Sequence, residues 1–289
     1  MANKVLVILG PTASGKSDLA VRLAKKFKGE VISADSRQVY RGLNIGTGKI
    51  TKKEMQGVPH YLLDVANPKK QFSASDFVKK ANEAIAMIYH SGHLPIVVGG
   101  TGFYIDALAG NIFLPDVPPN KKLRTKLSKK SNKALFKMLQ KKDPRRAKTI
   151  DFNNKVRLIR ALEIVKAIGK IPQLGSSTSK SIYSFIFIGL KPDNLKNRIE
   201  KRVKKMFKQG LLKEIIKLKK SGVSNKRLKE LGFEYWNPTE ESVIKNSIKY
   251  AKRQMTWFKR NKQIKWFTLS AIEGFKPEEY KKIEKYVRV

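Results

Sequence analysis

The chain has 289 residues, of which 41% are hydrophobic, and 62 Lys+Arg against 23 Asp+Glu give it a formal net charge of +39. It contains no cysteine, which excludes disulfides, thiolate zinc sites and a cysteine nucleophile. No apolar run approaches the ~20 residues of a membrane-spanning helix, so we expect no membrane association and a cytoplasmic location.

The first part of the chain alternates strands and helices. Short apolar runs predict strands at 5–9, 30–34 and 95–100, and helical spacing with capping residues predicts helices at 17–27 and about 75–90. Alternating β and α elements of this kind form a parallel sheet flanked by helices. The predicted fold class is therefore α/β.

The strand signal disappears after LPDVPP, where lysine-rich helical segments begin, and it returns with FIFIGL at 185–190. We therefore predict a core formed by residues 1–114 and 185–289, with an all-helical insertion at 115–184.

The positive charge is distributed unevenly over these parts. Residues 1–110 hold 15 Lys+Arg and 8 Asp+Glu, whereas residues 111–289 hold 47 and 15. A lysine-rich proteome would spread its charge more evenly, so the excess in the second part indicates an extended anionic partner. Nucleic acid is the partner that this charge favours.

The loop between the first predicted strand and helix, GPTASGKS, fits the phosphate-binding pattern G-x-x-x-x-G-K-[ST] of a P-loop. Its backbone N–H groups and the helix N-terminus can hold a di- or triphosphate, Lys16 can neutralise charge, and the Ser17 hydroxyl can bind Mg²⁺. A full match between a strand and a helix strongly favours a phosphate site. The predicted phosphate-binding residues are Gly10, Pro11, Thr12, Ala13, Ser14, Gly15, Lys16 and Ser17.

Two polar residues end the neighbouring predicted strands, where a parallel sheet binds its ligands. Asp35 can steer Mg²⁺ through water or accept a proton from a nucleophile, although a turn aspartate that caps a helix is the alternative. Thr101, within GGTG, can hydrogen-bond a substrate, or it can merely accompany a tight glycine turn.

Eight longer blocks follow one another over almost the whole chain: GPTASGKS, ADSRQVYRGLNIGTGK, VPHYLLDV, FSASDF, PIVVGGTGFYIDAL, DPRRAKTIDFNNKVRLIRALEI, RIEKRVKKMFKQGLLKEI and YAKRQMTWFKRN. Together they resemble the tRNA dimethylallyltransferases, enzymes that prenylate the adenosine beside the anticodon. Ser17 stands where this family usually has Thr, and Tyr61 where a second His is common. The usual G-Y-K/R-E-like block is GFEYW here, which weakens any RNA contact implied for residues 229–234.

The resemblance implies that the P-loop holds the diphosphate of dimethylallyl diphosphate, with Mg²⁺ near Ser17, and that Lys16 and Arg202 contact the same group. From the residues alone, Arg202 and its companion Arg198 also fit a solvated basic face. The resemblance further implies that Asp35 accepts a proton from the N6 amine of adenosine 37, on the 3′ side of the anticodon. A stacked adenine must be flipped to reach such a site, and the residues expected to contact it are Asp35, Ser36, Arg37, Gln38 and Thr101.

The predicted insertion supplies further candidate tRNA contacts. Residues 121–148 hold 13 Lys+Arg and a single acid, and phosphate contacts from such cations position RNA without reading its sequence. For Arg160 an ion pair with Glu163 is the alternative. The resemblance assigns tRNA contacts to Arg124 and to the VRLIR block, which comprises Val156, Arg157, Leu158, Ile159 and Arg160.

Three other functions compete with this interpretation. A small-molecule kinase would use the same P-loop, but it would not explain the charge of residues 111–289 or Asp35 within DSRQVY. A prenyltransferase for free adenine nucleotides would not need a basic helical insertion. A tRNA-binding module with a nucleotide switch would give Asp35 and Thr101 no chemical role. For the tRNA dimethylallyltransferase interpretation we expect a monomer.

Overall fold

The computed structural model describes residues 3–172, 182–270 and 274–288. It divides into two compact units: Met1–Ala109 with Ser181–Val289, here called the core unit, and Gly110–Lys180, here called the helical unit. The insertion predicted at 115–184 overlaps the helical unit. None of the described helices is long and apolar enough to cross a membrane.

A single sheet of six parallel strands forms the centre of the core unit. Its strands are β1 (Asn3–Leu9), β2 (Gly29–Ser33), β3 (His60–Tyr61), β4 (Leu94–Gly99), β5 (Tyr183–Pro192) and β6 (Lys265–Leu269). They are ordered β3-β2-β4-β1-β5-β6, and every neighbouring pair is parallel. The predicted α/β class with a parallel sheet is confirmed.

Helices cover both faces of the sheet and make up the helical unit. In the core unit they are α1 (Lys16–Phe27), α2 (Lys52–Met55), α3 (Ala74–His90), α4 (Gly102–Leu108), α9 (Leu195–Lys208), α10 (Leu211–Lys220), α11 (Asn225–Leu231), α12 (Glu240–Phe258) and α13 (Pro277–Val287). In the helical unit they are α5 (Lys121–Ser128), α6 (Asn132–Lys142), α7 (Pro144–Ala147) and α8 (Lys155–Ile168).

Strand β1 is buried on both faces because its alternate side chains enter two different cores. Val5, Val7 and Leu9 pack in the cluster that includes α3 and α4. Leu6 and Ile8 point to the opposite face and pack with α1 and α13. A strand held between two apolar layers in this way fixes the loop that follows it at the carboxyl edge of the sheet.

The helical unit has an apolar core of its own, formed by side chains from α5, α6 and α8. Leu135 and Leu139 of α6 and Leu158 of α8 are completely buried in it. The cationic side chains of this unit are therefore carried by a packed scaffold.

The buried face of α12 differs from the sequence prediction. The apolar spacing predicts a buried stripe of Ile244, Ile248, Ala251, Met255 and Phe258. The structure buries Ala251 and Phe258, but Val243, Ser247 and Gln254 complete the buried face. Ile244 and Ile248 are half-buried and pack against the apolar cluster shared with α9, and Met255 is half-buried. They are not fully buried because the buried face of α12 turns towards a polar cavity, where Ser247 and Gln254 lie.

Candidate active site

A cavity of about 190 Å³ lies in the core unit where β1, β2 and β4 end. It brings together the P-loop, the loop after β2, a turn at 46–48, the end of β4, and side chains from α9 and α12. The lining residues are Thr12, Ala13, Ser14, Gly15, Lys16, Ser17, Asp18, Asp35, Arg37, Gln38, Gly46, Thr47, Gly48, Val98, Gly99, Gly100, Arg202, Glu234, Ser247, Tyr250 and Gln254.

The lysine of the P-loop makes hydrogen bonds to other residues of the same loop. Lys16 Nζ donates hydrogen bonds to the Pro11 carbonyl at 2.6 Å and to Ser14 Oγ at 3.3 Å. Gly15 has φ +86°, a conformation that favours glycine, and it precedes α1 with no side-chain cap. The first N–H groups of α1 are therefore available to an anion.

Lys16 and Arg202 lie close enough in the cavity for the charge of Arg202 to lower the pKa of Lys16. Burial, and to a smaller extent the charge of Arg202, lower the pKa of Lys16 to about 7, against the opposing effect of Asp35. Burial also lowers the pKa of Arg202, whose Nη2 donates a hydrogen bond to the Thr47 carbonyl at 2.8 Å. A bound polyanion would relieve this repulsion and favour the charged form of Lys16.

Asp35 directly follows β2 and has one oxygen fixed. Its Oδ1 accepts hydrogen bonds from the backbone N–H of Arg37 at 2.9 Å and of Gln38 at 3.2 Å. Its Oδ2 accepts none from the residues that the structure describes. The carboxylate thus forms the turn that was the alternative interpretation, and it still presents one oxygen for a further contact.

Ser36 and Thr101 connect the ends of β2 and β4 beside the cavity. The Ser36 N–H donates to Thr101 Oγ1 at 3.0 Å, and the two hydroxyl oxygens lie 3.3 Å apart. The Thr101 N–H donates to the Ala34 carbonyl at 3.3 Å. Thr101 therefore helps to fix the turn that carries Asp35, and neither hydroxyl residue is among those that line the cavity.

Arg37 is held on the cavity wall by an ion pair. Its Nη1 lies 2.5 Å from Oε2 of Glu234, and its guanidinium lies 5.4 Å and 5.8 Å from the ring centres of Phe233 and Tyr250. Glu234 is buried, and burial raises its pKa against the opposing effect of Arg37. The GFEYW block, in which the sequence departs from the resemblance, thus reaches the cavity.

Gln254 and Tyr250 of α12 are cavity residues that the sequence analysis missed. Gln254 Oε1 accepts the N–H of Thr12 at 2.8 Å, and its Nε2 donates to the Gly100 carbonyl at 2.8 Å. The side chain therefore joins the P-loop to the end of β4. A polar residue beside the apolar stripe of α12 was the signal that could have found Gln254.

Arg198 and Arg202 lie one helical turn apart on α9, but only Arg202 lines the cavity. Arg198 is buried, and its guanidinium donates to Asn194 Oδ1 at 3.0 Å and to the Gly274 carbonyl at 3.3 Å. It lies close to Gly15. A solvated basic face, the alternative for these arginines, does not describe Arg198.

In the helical unit, Arg124 and Arg160 both bind the buried Glu163. Arg124 donates to the two Glu163 oxygens at 2.9 and 2.8 Å. Arg160 donates to Oε2 at 2.5 Å, and the Asn120 N–H donates to Oε1 at 2.6 Å. Burial acts to raise the pKa of Glu163, but the hydrogen bonds from the arginines outweigh it and lower the pKa to about 2. The ion pair considered for Arg160 is thus formed.

The VRLIR block on α8 divides into exposed and buried side chains. Val156 is 75% exposed, and Arg157 is also exposed. Leu158 is fully buried, which leaves it no surface for a side-chain contact with tRNA. Ile159 and Arg160 are half-buried.

The donor set of the cavity fits a magnesium ion that arrives with a phosphate ligand. No group of three or more His, Cys, Asp or Glu side chains within the described ranges could hold a metal by itself. Ser17 and Asp35 line the cavity together, and Mg²⁺ commonly takes one or two protein oxygens, with phosphate oxygens and water completing its shell.

Comparison with known proteins identifies the family. The family model for IPP transferase matches residues 38–261. The tRNA dimethylallyltransferase of Thermoanaerobacter sp. (strain X514) is 40% identical, over 99% of this chain and 98% of that protein. The enzyme of the same name from Halalkalibacterium halodurans is 40% identical, over 94% of this chain and 93% of that protein.

Solved structures agree with this result. The tRNA isopentenylpyrophosphate transferase from Bacillus halodurans has a TM-score of 0.70 and 38% identity, over 99% of this chain and 96% of that chain. A eukaryotic dimethylallyltransferase acting on tRNA has a TM-score of 0.77 and 28% identity, over 92% of this chain and 73% of that chain. The P-loop cavity therefore lies in a prenyltransferase, and the chain belongs to the tRNA dimethylallyltransferase family.

Proposed function

We propose that the chain transfers the dimethylallyl group of dimethylallyl diphosphate to N6 of adenosine 37 in tRNA and releases diphosphate. The observation that carries the proposal is that the P-loop, Arg202 and the open oxygen of Asp35 meet in one cavity. A P-loop alone fits many reactions. A carboxylate with an open oxygen beside it fits the deprotonation of a nucleophile.

The phosphate side of the cavity would stabilise the leaving group. When the allylic C–O bond breaks, its electron pair leaves with the diphosphate, and Lys16, Arg202 and the N–H groups of the P-loop offset the charge that develops there. Mg²⁺ bound by Ser17 and the diphosphate would supply further charge neutralisation. Lys16 acts in its charged form, which a bound diphosphate favours.

The carboxylate side would activate the nucleophile. The N6 amine forms the new C–N bond, and one of its protons passes to Oδ2 of Asp35, so the dimethylallyl group replaces one hydrogen. The backbone N–H groups of Arg37 and Gln38 hold Oδ1, which fixes the direction in which Oδ2 points. Thr101 supports the same turn.

The adenine would enter the cavity only after it leaves the stack of the anticodon loop. Arg37 and Gln38, which line the cavity, are then the proposed contacts of the flipped base, and Ser36 and Thr101, beside the cavity, are proposed contacts at its edge. Arg37 can donate a hydrogen bond to the base while it remains paired with Glu234, since a guanidinium carries five N–H donors.

The helical unit would hold the tRNA through phosphate contacts. Arg157 and Val156 are the exposed members of the VRLIR block. The side chains of Arg124 and Arg160 remain 37% and 34% exposed while bound to Glu163, so both can also reach a phosphate. The buried Leu158 would support this surface from below.

A transfer assay tests the proposal. The purified protein, with Mg²⁺, dimethylallyl diphosphate and undermodified tRNA, is expected to give prenylated adenosine 37 and free diphosphate. Phosphorylation of a small alcohol by ATP, without transfer to tRNA, would establish a kinase instead. Transfer to free adenine nucleotides alone would establish the nucleotide prenyltransferase, and tRNA binding without transfer the binding module. Sedimentation at micromolar concentration tests the monomer, and fractionation of cells tests the cytoplasmic location.

A further inference from the structure

Glu214 lies outside the cavity and binds the turn of residues 44–48, of which residues 46–48 form one wall of the cavity. It lies in the first turn of α10 and is buried. Its Oε2 accepts the backbone N–H groups of Asn44 and Ile45 at 2.9 and 2.7 Å. Its Oε1 accepts the N–H of Gly46 at 3.1 Å and the hydroxyl of Tyr235 at 3.0 Å. Each carboxylate oxygen therefore has two donors.

The same turn reaches the phosphate side of the cavity at its other end. The Thr47 carbonyl accepts Nη2 of Arg202 at 2.8 Å. Gln38 Nε2 donates to the carbonyls of Thr47 and Gly48, each at 3.4 Å. Residues 46–48 line the cavity beside Arg202. The turn thus contacts the Arg202 guanidinium directly, through the Thr47 carbonyl.

Neighbouring side chains approach the two glycines of the turn closely. A Cβ on Gly46 would lie 2.7 Å from the Tyr235 hydroxyl oxygen, and a Cβ on Gly48 would meet the Arg202 guanidinium. Gly48 also has φ +56°, which few other residues adopt. The turn is therefore packed between Tyr235 on one side and Arg202 on the other.

We propose that Glu214 and Tyr235 are positioning residues for diphosphate binding, which act through the 44–48 turn on Arg202. The proposal rests on the function proposed above only in naming diphosphate as the ligand of Arg202. Tyr235 belongs to the GFEYW block, so this block contributes to the grip on the diphosphate through Glu214. Loss of either side chain would let the turn move and would misplace the guanidinium, without removing any group that touches the substrate.

The chain contains a matched pair for comparison, Glu30 and Tyr61. Glu30 is also a buried glutamate, and it accepts the Tyr61 hydroxyl at 2.6 Å and bonds to His93 Nδ1 at 2.6 Å. Neither Glu30 nor Tyr61 lines the cavity. Glu30→Gln and Tyr61→Phe therefore remove the same chemical groups from the same unit of the protein, at a place that makes no hydrogen bond to Arg202 or to the 44–48 turn among the described residues.

The test measures binding of inorganic diphosphate with Mg²⁺ to the full chain by calorimetry, together with the melting temperature of each variant. Glu214→Gln is expected to weaken binding about tenfold, because a charged acceptor of backbone N–H groups is lost, and Tyr235→Phe roughly threefold. Glu30→Gln and Tyr61→Phe are expected to leave diphosphate binding unchanged, with a comparable loss of melting temperature.

Unchanged diphosphate binding in folded Glu214→Gln and Tyr235→Phe would overturn the proposal. If Glu214→Gln does not fold, the result for Tyr235→Phe decides alone.

A double-mutant cycle distinguishes positioning from a general structural role. If Glu214 acts through Arg202, Glu214→Gln should weaken diphosphate binding much less in an Arg202→Ala background than in the wild type. Additive effects would contradict the proposal. Because diphosphate binding is measured without transfer, a failure of the protein to prenylate tRNA would overturn the proposed function and leave this result intact.

Discussion

Asp35 of the core unit and Glu163 of the helical unit use their carboxylate oxygens in different ways. In the helical unit, both oxygens of Glu163 are occupied by Arg124, Arg160 and the Asn120 N–H. In the core unit, Asp35 has two donors on Oδ1 and, within the part of the chain that the structure describes, none on Oδ2. A saturated carboxylate can only hold structure together, whereas a half-saturated one is both fixed in direction and open to a substrate.

The largest effect is expected from the open carboxylate. Asp35→Asn keeps an oxygen for the N–H groups of Arg37 and Gln38 but removes the proposed base, so kcat for tRNA prenylation should fall roughly 10³-fold while tRNA binding stays nearly unchanged. Asp76→Asn, which changes a helix-capping carboxylate of α3, is the control and should keep its activity. Full turnover by Asp35→Asn would remove Asp35 as the base.

Substitution of Glu163, the saturated carboxylate, should instead lower the stability of the helical unit. Glu163→Gln leaves Arg124 and Arg160 without their anion, and we expect the helical unit to lose about 3 kcal/mol of stability. Hydrogen exchange checks this result, since the amides of α6 and α8 should lose protection while those of β1 and β4 keep theirs. Equal loss of protection in both units would contradict a role confined to the helical unit.

Lowering the pH should destabilise the helical unit in the same way as Glu163→Gln. The pKa of Glu163 is lowered to about 2 from an ordinary value of 4.5, so its contribution to stability is complete above pH 4.5 and is lost as the pH falls from 4.5 towards 2. Protection of α8 amides should decline over this range in the wild type. In Glu163→Gln the decline should be smaller, and an identical decline would count against the ion pair.

A moderate effect is expected from Lys16, whose pKa is lowered to about 7. If the charged lysine binds the anion, as proposed above, affinity for diphosphate should decrease roughly tenfold as the pH rises from about 7 to about 8.5. Lys16→Arg stays charged over this range and should bind with a flatter pH dependence. Calorimetry at several pH values measures both, and parallel profiles would exclude Lys16 as the titrating group.

The smallest effect concerns the surface of the helical unit. Arg157 is exposed and forms no ion pair among the described residues, so Arg157→Glu should weaken tRNA binding and reduce its salt slope by about 1. Lys79→Glu on α3 makes the same charge change in the core unit and serves as the control. Equal slopes for the two variants would contradict a phosphate contact at Arg157.

The sequence predicts those site residues that lie in local patterns. The P-loop follows from a motif between a strand and a helix, and Asp35 and the GGTG segment follow from the rule that strand ends meet at one edge. These three segments do line one cavity. Local patterns suffice here because each functional group directly follows its own strand.

Contacts between distant segments could not be predicted in this way. Gln254 is 242 residues from Thr12 along the chain, and the apolar spacing of α12 favoured a buried face that excludes it. Arg124 is 39 residues from Glu163, so its ion pair was missed, whereas Arg160 lies one turn from Glu163 and its pair was considered. Tyr235 was missed, and a contact of Glu234 was left in doubt, because GFEYW departs from the family block.

The most direct test of the account is a single-turnover assay with dimethylallyl diphosphate, Mg²⁺ and undermodified tRNA, in which the nucleosides of the product are identified by mass. Wild-type protein should convert adenosine 37 to its N6-dimethylallyl form with one diphosphate released per transfer, and Asp35→Asn should bind the tRNA and transfer almost nothing. Diphosphate release without a modified adenosine, or equal transfer by both proteins, would contradict the claim that the cavity joins a leaving-group site to an open carboxylate base.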